Sequence, residues 1–204
     1  MEISNPGNKI EITGIFVLTP EGKLNGEING SFSNRCNPYA ELVRTGGMTS
    51  ALIPGLSGKA ENFTSGQSNL KFKVDKENAI LSRGNFRFLD LMESGSGIST
   101  LHLNPLPFKR TSMLDLGSPI SESYHYSITV PGGYRLANPV DLVLNKPNVG
   151  KLTLRIKQQN NVIEVIRELE ISNSIITREQ YINFRELTGQ WFTAKYKQLV
   201  MTAD

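Results

Sequence analysis

The 204-residue chain is poor in the residues that most often carry chemistry: one cysteine (Cys36), two histidines (His102 and His125) and one tryptophan (Trp191). A single cysteine excludes a disulfide framework within the chain and any multi-cysteine metal centre. It fits either redox compartment. The histidines lie 23 positions apart with no HxH or HExxH around them, so no metal-ligand spacing is present and no cofactor is expected. No apolar run approaches the roughly 18 residues of a spanning helix. No block of like charge occurs either. Lys71, Lys73, Lys76, Arg83 and Arg87 alternate with other residues, so the net charge of +3 reads as solvated strand faces and not as a nucleic-acid tract. The N-terminus has neither the basic segment nor the apolar core of a signal peptide. Its abrupt, loop-like Asn5-Pro6-Gly7 predicts a piece cut from a longer protein, with Met1 added for expression.

What is present is alternation. KIEITGIFVL (9–18), turned by Pro20-Glu21-Gly22, is followed by KLNGEINGSF (23–32), in which Leu24, Gly26, Ile28, Gly30 and Phe32 share a face. Period 2 is the mark of a half-buried strand. Further strands are predicted at 70–74, 85–92, 101–108, 123–130, 151–157, 162–171 and 195–201. Asn160-Asn161 makes a tight hairpin turn between two of them. A short helix is expected near 37–45, capped by Asn37, begun by Pro38 and stopped by Gly46-Gly47. Residues 53–69 form a Gly/Ser/Asn-rich loop. Short strands punctuated by turns predict a mainly β fold, one or more antiparallel β-sandwiches. A soft boundary near 107 divides it into a first β-rich part (1–106) and a second β-sandwich part (107–204), unless the chain is a single domain.

One amphipathic helix is expected near 177–192. Thr177 and Gln180 form a capping box, and Ile176 with Tyr181 a hydrophobic staple. Tyr181, Phe184, Leu187, Thr188 and Trp191 recur at steps of three and four and make one apolar stripe. Either the stripe covers this chain's own sheet, or it docks another domain. Gly189 within it costs roughly 1 kcal/mol of helix propensity, so a kink or stop is expected there.

The catalytic candidates are thin. Cys36 precedes a helix N-terminus, which lowers a thiol pKa. A cysteine nucleophile also needs a base in reach, and His102 and His125 each sit inside an alternating strand with no motif. Pro54-Gly55-Leu56-Ser57-Gly58-Lys59-Ala60 fails as a phosphate loop because Ala60 replaces the Ser/Thr that holds magnesium. Gly95-Ser96-Gly97 lacks the third glycine of a dinucleotide fingerprint. Asn62-Phe63-Thr64 is a formal glycosylation sequon of a kind that arises often by chance. Tyr124 and Tyr126 stack sugars if exposed, and fill a core if buried.

Several stretches fall in a telling order. Pro20 to Ile28 is followed by Tyr39-Ala40-Glu41-Leu42-Val43-Arg44. Then come Phe108-Lys109-Arg110, Leu114-Asp115-Leu116, Tyr126, Val130-Pro131-Gly132-Gly133-Tyr134, Pro139, Ile176, Tyr181, Phe184-Arg185 and Leu199-Val200. This series resembles the region after the catalytic domain of Bacteroidetes-type transglutaminase-like proteins. It departs at the second glycine, Gly133, and at Thr111-Ser112-Met113, where a proline is usual. The resemblance implies a non-catalytic, accessory C-terminal region of a transglutaminase-like or protease-like envelope protein. Such proteins combine an N-terminal domain of unknown function with a Cys/His/Asp core. That core lies upstream, so none of its residues falls here and no catalytic residue is expected in this chain. The implied partner is that upstream catalytic domain, and the implied location is periplasmic or cell envelope. The alternative is a stand-alone carbohydrate- or peptide-binding β module with a protein or glycan partner.

Overall fold

A computed structural model describes residues 7–33, 63–64, 67–93, 97–101, 103 and 106–203. The helix expected near 37–45, both Cys36 and His102, and most of the 53–69 loop lie outside these residues.

The alternation of the first hairpin produces β1 (Asn8–Leu18) and β2 (Leu24–Ser33), joined by a turn in which Gly22 takes φ 86°. Ile10, Ile12, Phe16 and Leu18 of β1 are buried, as are Leu24, Ile28 and Phe32 of β2. Gly26 belongs to the same face for a steric reason. A Cβ there would run into the Ile15 carbonyl oxygen and the Phe16 ring, so its absence lets the two strands and the ring come together. β3 (Phe63–Thr64) and β4 (Gln67–Lys76) extend this edge. β5 (Ile80–Arg83) and β6 (Phe86–Asp90) form a second hairpin, of which β5 has no counterpart among the sequence-predicted strands.

Among the described residues of 101–108, none lies in the strand expected there. A 3-10 turn covers Gly97–Leu101, and residues 103 and 106–108 run irregularly. The sequence places Pro105 and Pro107 there, and two missing backbone donors are incompatible with a ladder. β7 (Leu114–Asp115) is brief. The long strands return with β8 (Ile120–Thr129), β9 (Tyr134–Leu136), β10 (Val140–Lys146), β11 (Gly150–Gln159) and β12 (Val162–Ile171). The β11–β12 hairpin turns at Asn160-Asn161, with Asn160 at φ 55°. After β13 (Ile175–Ile176), helix α1 spans Tyr181–Trp191, and β14 (Gln198–Ala203) ends the described chain.

The fold is mainly β. An eight-stranded sheet has the order β10-β11-β12-β8-β1-β2-β4-β3, and a four-stranded sheet has the order β5-β6-β14-β9. Pairing is antiparallel except between β1 and β8, which run parallel from Asn8↔Ile120 to Val17↔Thr129. That parallel seam joins strands from both sides of residue 107. So does the smaller sheet, where β14 lies between β6 and β9. Side chains of both sheets and of α1 share one hydrophobic core. The large sheet buries one face and leaves the other to solvent. On the solvent side lie Glu11, His125, Glu164 and Lys151, with Ile15 72% exposed.

Candidate functional site

Side chains two apart on a strand share a face, so β8 sends Glu122, Tyr124 and Tyr126 inward, and β12 sends Arg167 inward among Ile163, Val165 and Leu169. The register sets Tyr124 opposite Arg167. Glu93, just after β6, and Lys197, just before β14, converge on the same spot. Arg167 is 1% exposed, and its Nη1 is ion-paired with Glu93. Lys197 Nζ lies 2.7 Å from the other oxygen of Glu93, so one carboxylate bridges two cations. Arg167 Nη2 donates to the Trp191 carbonyl at 3.3 Å. The guanidinium carbon lies 4.6 Å from the Trp191 ring centroid and 5.9 Å from that of Tyr124, within cation–π range.

Beside this cluster, Glu122 accepts the Ile98 N–H at 3.0 Å and the Tyr124 hydroxyl at 2.7 Å. Burial pushes the Glu122 carboxyl above the usual carboxylate range, with the Ile98 and Tyr124 hydrogen bonds opposing it. Burial lowers Arg167 to about 10, so it remains a cation at neutral pH. Burial first, and the neighbouring Arg167 second, lower the Lys197 ammonium. The Tyr126 hydroxyl donates to the Met92 carbonyl at 2.5 Å. Together these contacts tie the chain after β6 and the 3-10 turn onto the large sheet. A buried charge with no partner is very costly; here the charged heads hold one another in place.

This cluster was missed in the sequence, although its signal is there. Arg167 and Glu122 each occupy the apolar phase of an alternating strand, where a charge has to be buried and partnered.

The stripe residues named from the sequence lie together on one side of α1. Tyr181, Phe184, Leu187 and Trp191 are buried, as is Thr188. The helix packs over β10, β11 and β12. The Tyr181 hydroxyl reaches the Pro107 carbonyl at 2.6 Å, and the Thr188 hydroxyl bonds back to the Phe184 carbonyl at 3.0 Å. The capping box forms reciprocally: the Thr177 N–H donates to Gln180 Oε1 at 3.0 Å, and the Gln180 N–H to Thr177 Oγ1 at 3.3 Å. Those bonds close a turn over residues 177–180, so regular α-helix starts at Tyr181 and not at 178. The helix does not stop at Gly189; it continues two residues beyond, to Trp191.

The remaining candidates scatter. Tyr124 and Tyr126 are 1% and 2% exposed, which makes them core and not a sugar platform. His125 points to the solvent face with Nε2 2.9 Å from Glu168, while the Ser127 hydroxyl donates to Glu164 at 2.8 Å. Serine and histidine are thus each engaged with a carboxylate and not with one another. Among the described residues, no group of three or more His, Cys, Asp or Glu could hold a metal ion, and no helix is long and apolar enough to cross a membrane.

The outer side of α1 borders a groove of about 580 Å³ whose lining includes Leu103, Leu106, Ile182, Arg185, Gly189 and Phe192. Ile182 is 50% exposed. Glu186 is neutralised by Lys146 at 2.6 Å, whereas the Arg185 guanidinium sits 5.2 Å over the Phe108 ring.

An eight-stranded sheet with one wet face, a smaller companion sheet and a capping helix near the end define a mainly β module with an internal ion cluster. Residues 98–201 match the family described as "Domain of Unknown Function with solved-structure structure" (DUF3858), and the chain belongs to that family. Among solved structures it is similar to a putative protease from Parabacteroides distasonis ATCC 8503, at 24% identity and a TM-score of 0.54. The likeness covers 64% of this chain and 28% of that one, and at this identity it is a likeness of fold. This chain therefore spans less than a third of the solved chain it matches. No curated protein matches it.

Proposed function

We propose that this chain is a non-catalytic accessory module of a larger transglutaminase-like or protease-like envelope protein, which packs on the catalytic core or receives a partner for it. The observation that carries the reading is the fate of the acid and base groups. Glu93, Glu122, Arg167 and Lys197 are spent on ordering the chain, Glu122 and Arg167 buried and Glu93 and Lys197 half-buried. General acid–base work requires a group within hydrogen-bond reach of a substrate. The 28% share of a longer putative protease supports the same reading, since it leaves room in such a protein for a separate catalytic domain. In this proposal the eight-stranded and four-stranded sheets stack face to face as a β-sandwich, which their common core supports. The module works in the periplasm or envelope.

Two experiments test it. The complete reading frame is expected to encode a Cys/His/Asp core upstream of residue 1 and an export signal before that; a frame with neither overturns the proposal. The purified chain, incubated with casein and a fluorescent primary amine, is expected to cut no peptide bond and to incorporate no amine. Turnover by the chain alone would also overturn it.

A further inference from the structure

Helix α1 uses one side to cover the sheet, and its other side is built for contact as well. We propose that the groove lined by α1 and by Leu103 and Leu106 is a docking site for an extended segment of a partner protein that presents an apolar side chain beside a carboxylate. This deepens the accessory reading and rests on it.

The first observation is the groove's apolar content. The buried stripe of α1 accounts for Tyr181, Phe184, Leu187 and Trp191. Ile182 lies out of phase with that stripe, half-exposed, and lines the groove together with Leu103 and Leu106. A β-branched residue gains nothing for an exposed helix position, where straight-chain polar residues do better.

The second is Gly189. Glycine weakens a helix interior and is normally kept for positive φ or for a close approach. Gly189 has no positive φ, and a Cβ added to it would meet nothing within 4 Å. Among the described residues, nothing in the packing calls for a glycine there. It lies seven residues, two turns, after Ile182, so both line the groove, and the bare backbone at Gly189 admits a chain approaching closely from outside.

The third is charge. Among the described residues Arg185 has no carboxylate partner; its guanidinium rests on Phe108, while its neighbour Glu186 is already paired with Lys146. Among the described residues that line it, the groove thus carries one cation without a carboxylate partner. A guanidinium 5.2 Å from a ring centroid keeps N–H groups for a carboxylate, which it matches in two parallel hydrogen bonds. Apolar floor, bare backbone and a single arginine together describe an extended acidic-apolar peptide.

The test uses dye-labelled hexapeptides with Leu, Val or Phe beside a fixed Asp, and a matched library with Asn in that place, titrated against the 204-residue chain by fluorescence polarisation. Saturable binding of Asp peptides is expected, at least tenfold tighter than of their Asn counterparts. Gly189→Leu fills the groove and should weaken binding at least tenfold without lowering Tm, because the position is open and leucine favours the helix. Arg185→Gln should erase the preference for Asp over Asn. The proposal is overturned by an absence of binding to every Asp peptide, by Gly189→Leu binding as tightly as the parent, or by an unchanged Asp/Asn ratio in Arg185→Gln. A dimer in sedimentation that Gly189→Leu disperses would assign the groove to a second copy and overturn the peptide reading. All these outcomes leave the accessory role to its own tests, the reading frame and the turnover assay.

Discussion

β8 and β12 carry ionisable and hydroxyl-bearing residues on both of their faces, and the two sets occupy different solvents. On the inner face Glu122, Tyr124 and Arg167 are buried, with fixed partners, and burial shifts the pKa values of Glu122 and Arg167. On the outer face His125 pairs with Glu168, with side chains 45% and 42% exposed, and Ser127 pairs with Glu164. The inner and outer pairs are separated by a single step along the strand. In the interior the lower dielectric strengthens each interaction and makes an unmet charge costly; outside, water and salt screen the same kinds of pair. A hydrogen bond therefore orders the chain on one side of the sheet and only decorates it on the other.

The comparison can be broken most forcefully from the inside. Arg167→Ala strips one of the two cations from Glu93 and leaves space under Trp191; a loss of about 3–5 kcal/mol is expected in urea unfolding. A loss under about 1 kcal/mol would mean that the interior cluster is as well hydrated as the outer pairs. Phe184→Ala removes a ring with 0% exposure from between α1 and the sheet. It should also cost about 3–5 kcal/mol, by cavity formation and not by charge. Similar stability in the two proteins would place α1 off the sheet.

Glu122 sharpens the contrast through pH. Its carboxyl has a raised pKa in the folded chain, above the ordinary value of 4.5. The folded state therefore keeps the proton to higher pH than the unfolded state does. The stabilising contribution is complete below about 4.5 and is lost as pH rises through the raised value. Glu122→Gln should flatten that decline in unfolding free energy, and an identical pH profile for parent and variant would place Glu122 in water. The smallest effect belongs outside: Glu168→Gln, which removes the carboxylate facing His125, should change stability by less than about 0.5 kcal/mol. A larger change would erase the distinction between the faces.

Much of the fold was legible in the sequence, and the reason is periodicity. The β1–β2 and β11–β12 hairpins follow from alternation and from turn residues that tolerate positive φ, at Gly22 and Asn160. The stripe of α1 and its capping box follow from spacing alone. What alternation could not convey is partnership. The short strand β5 and the edge strand β10 have weak patterns of their own and take their form from β6 and β11. The segment 101–108 alternates well enough to be read as a strand, yet its described residues are not in one, and Pro107 has no backbone donor to give a ladder. The groove was equally invisible, because Ile182 and Gly189 look like minor blemishes in a helix until they line one groove with Leu103 and Leu106.

By itself the sequence determined which residues turn inward, since the phase of a strand or helix is a local property of the backbone. It even marked Arg167 and Glu122 as inward charges. Only the tertiary structure decided what those charges meet. The parallel seam of β1 and β8 joins strands 112 positions apart, from Asn8↔Ile120 onward. Glu93 and Lys197, 104 positions apart, close on Arg167 only when β14 pairs with β6. Such contacts depend on which strands become neighbours, a choice made by burying the whole apolar face at once and not by any one segment's pattern.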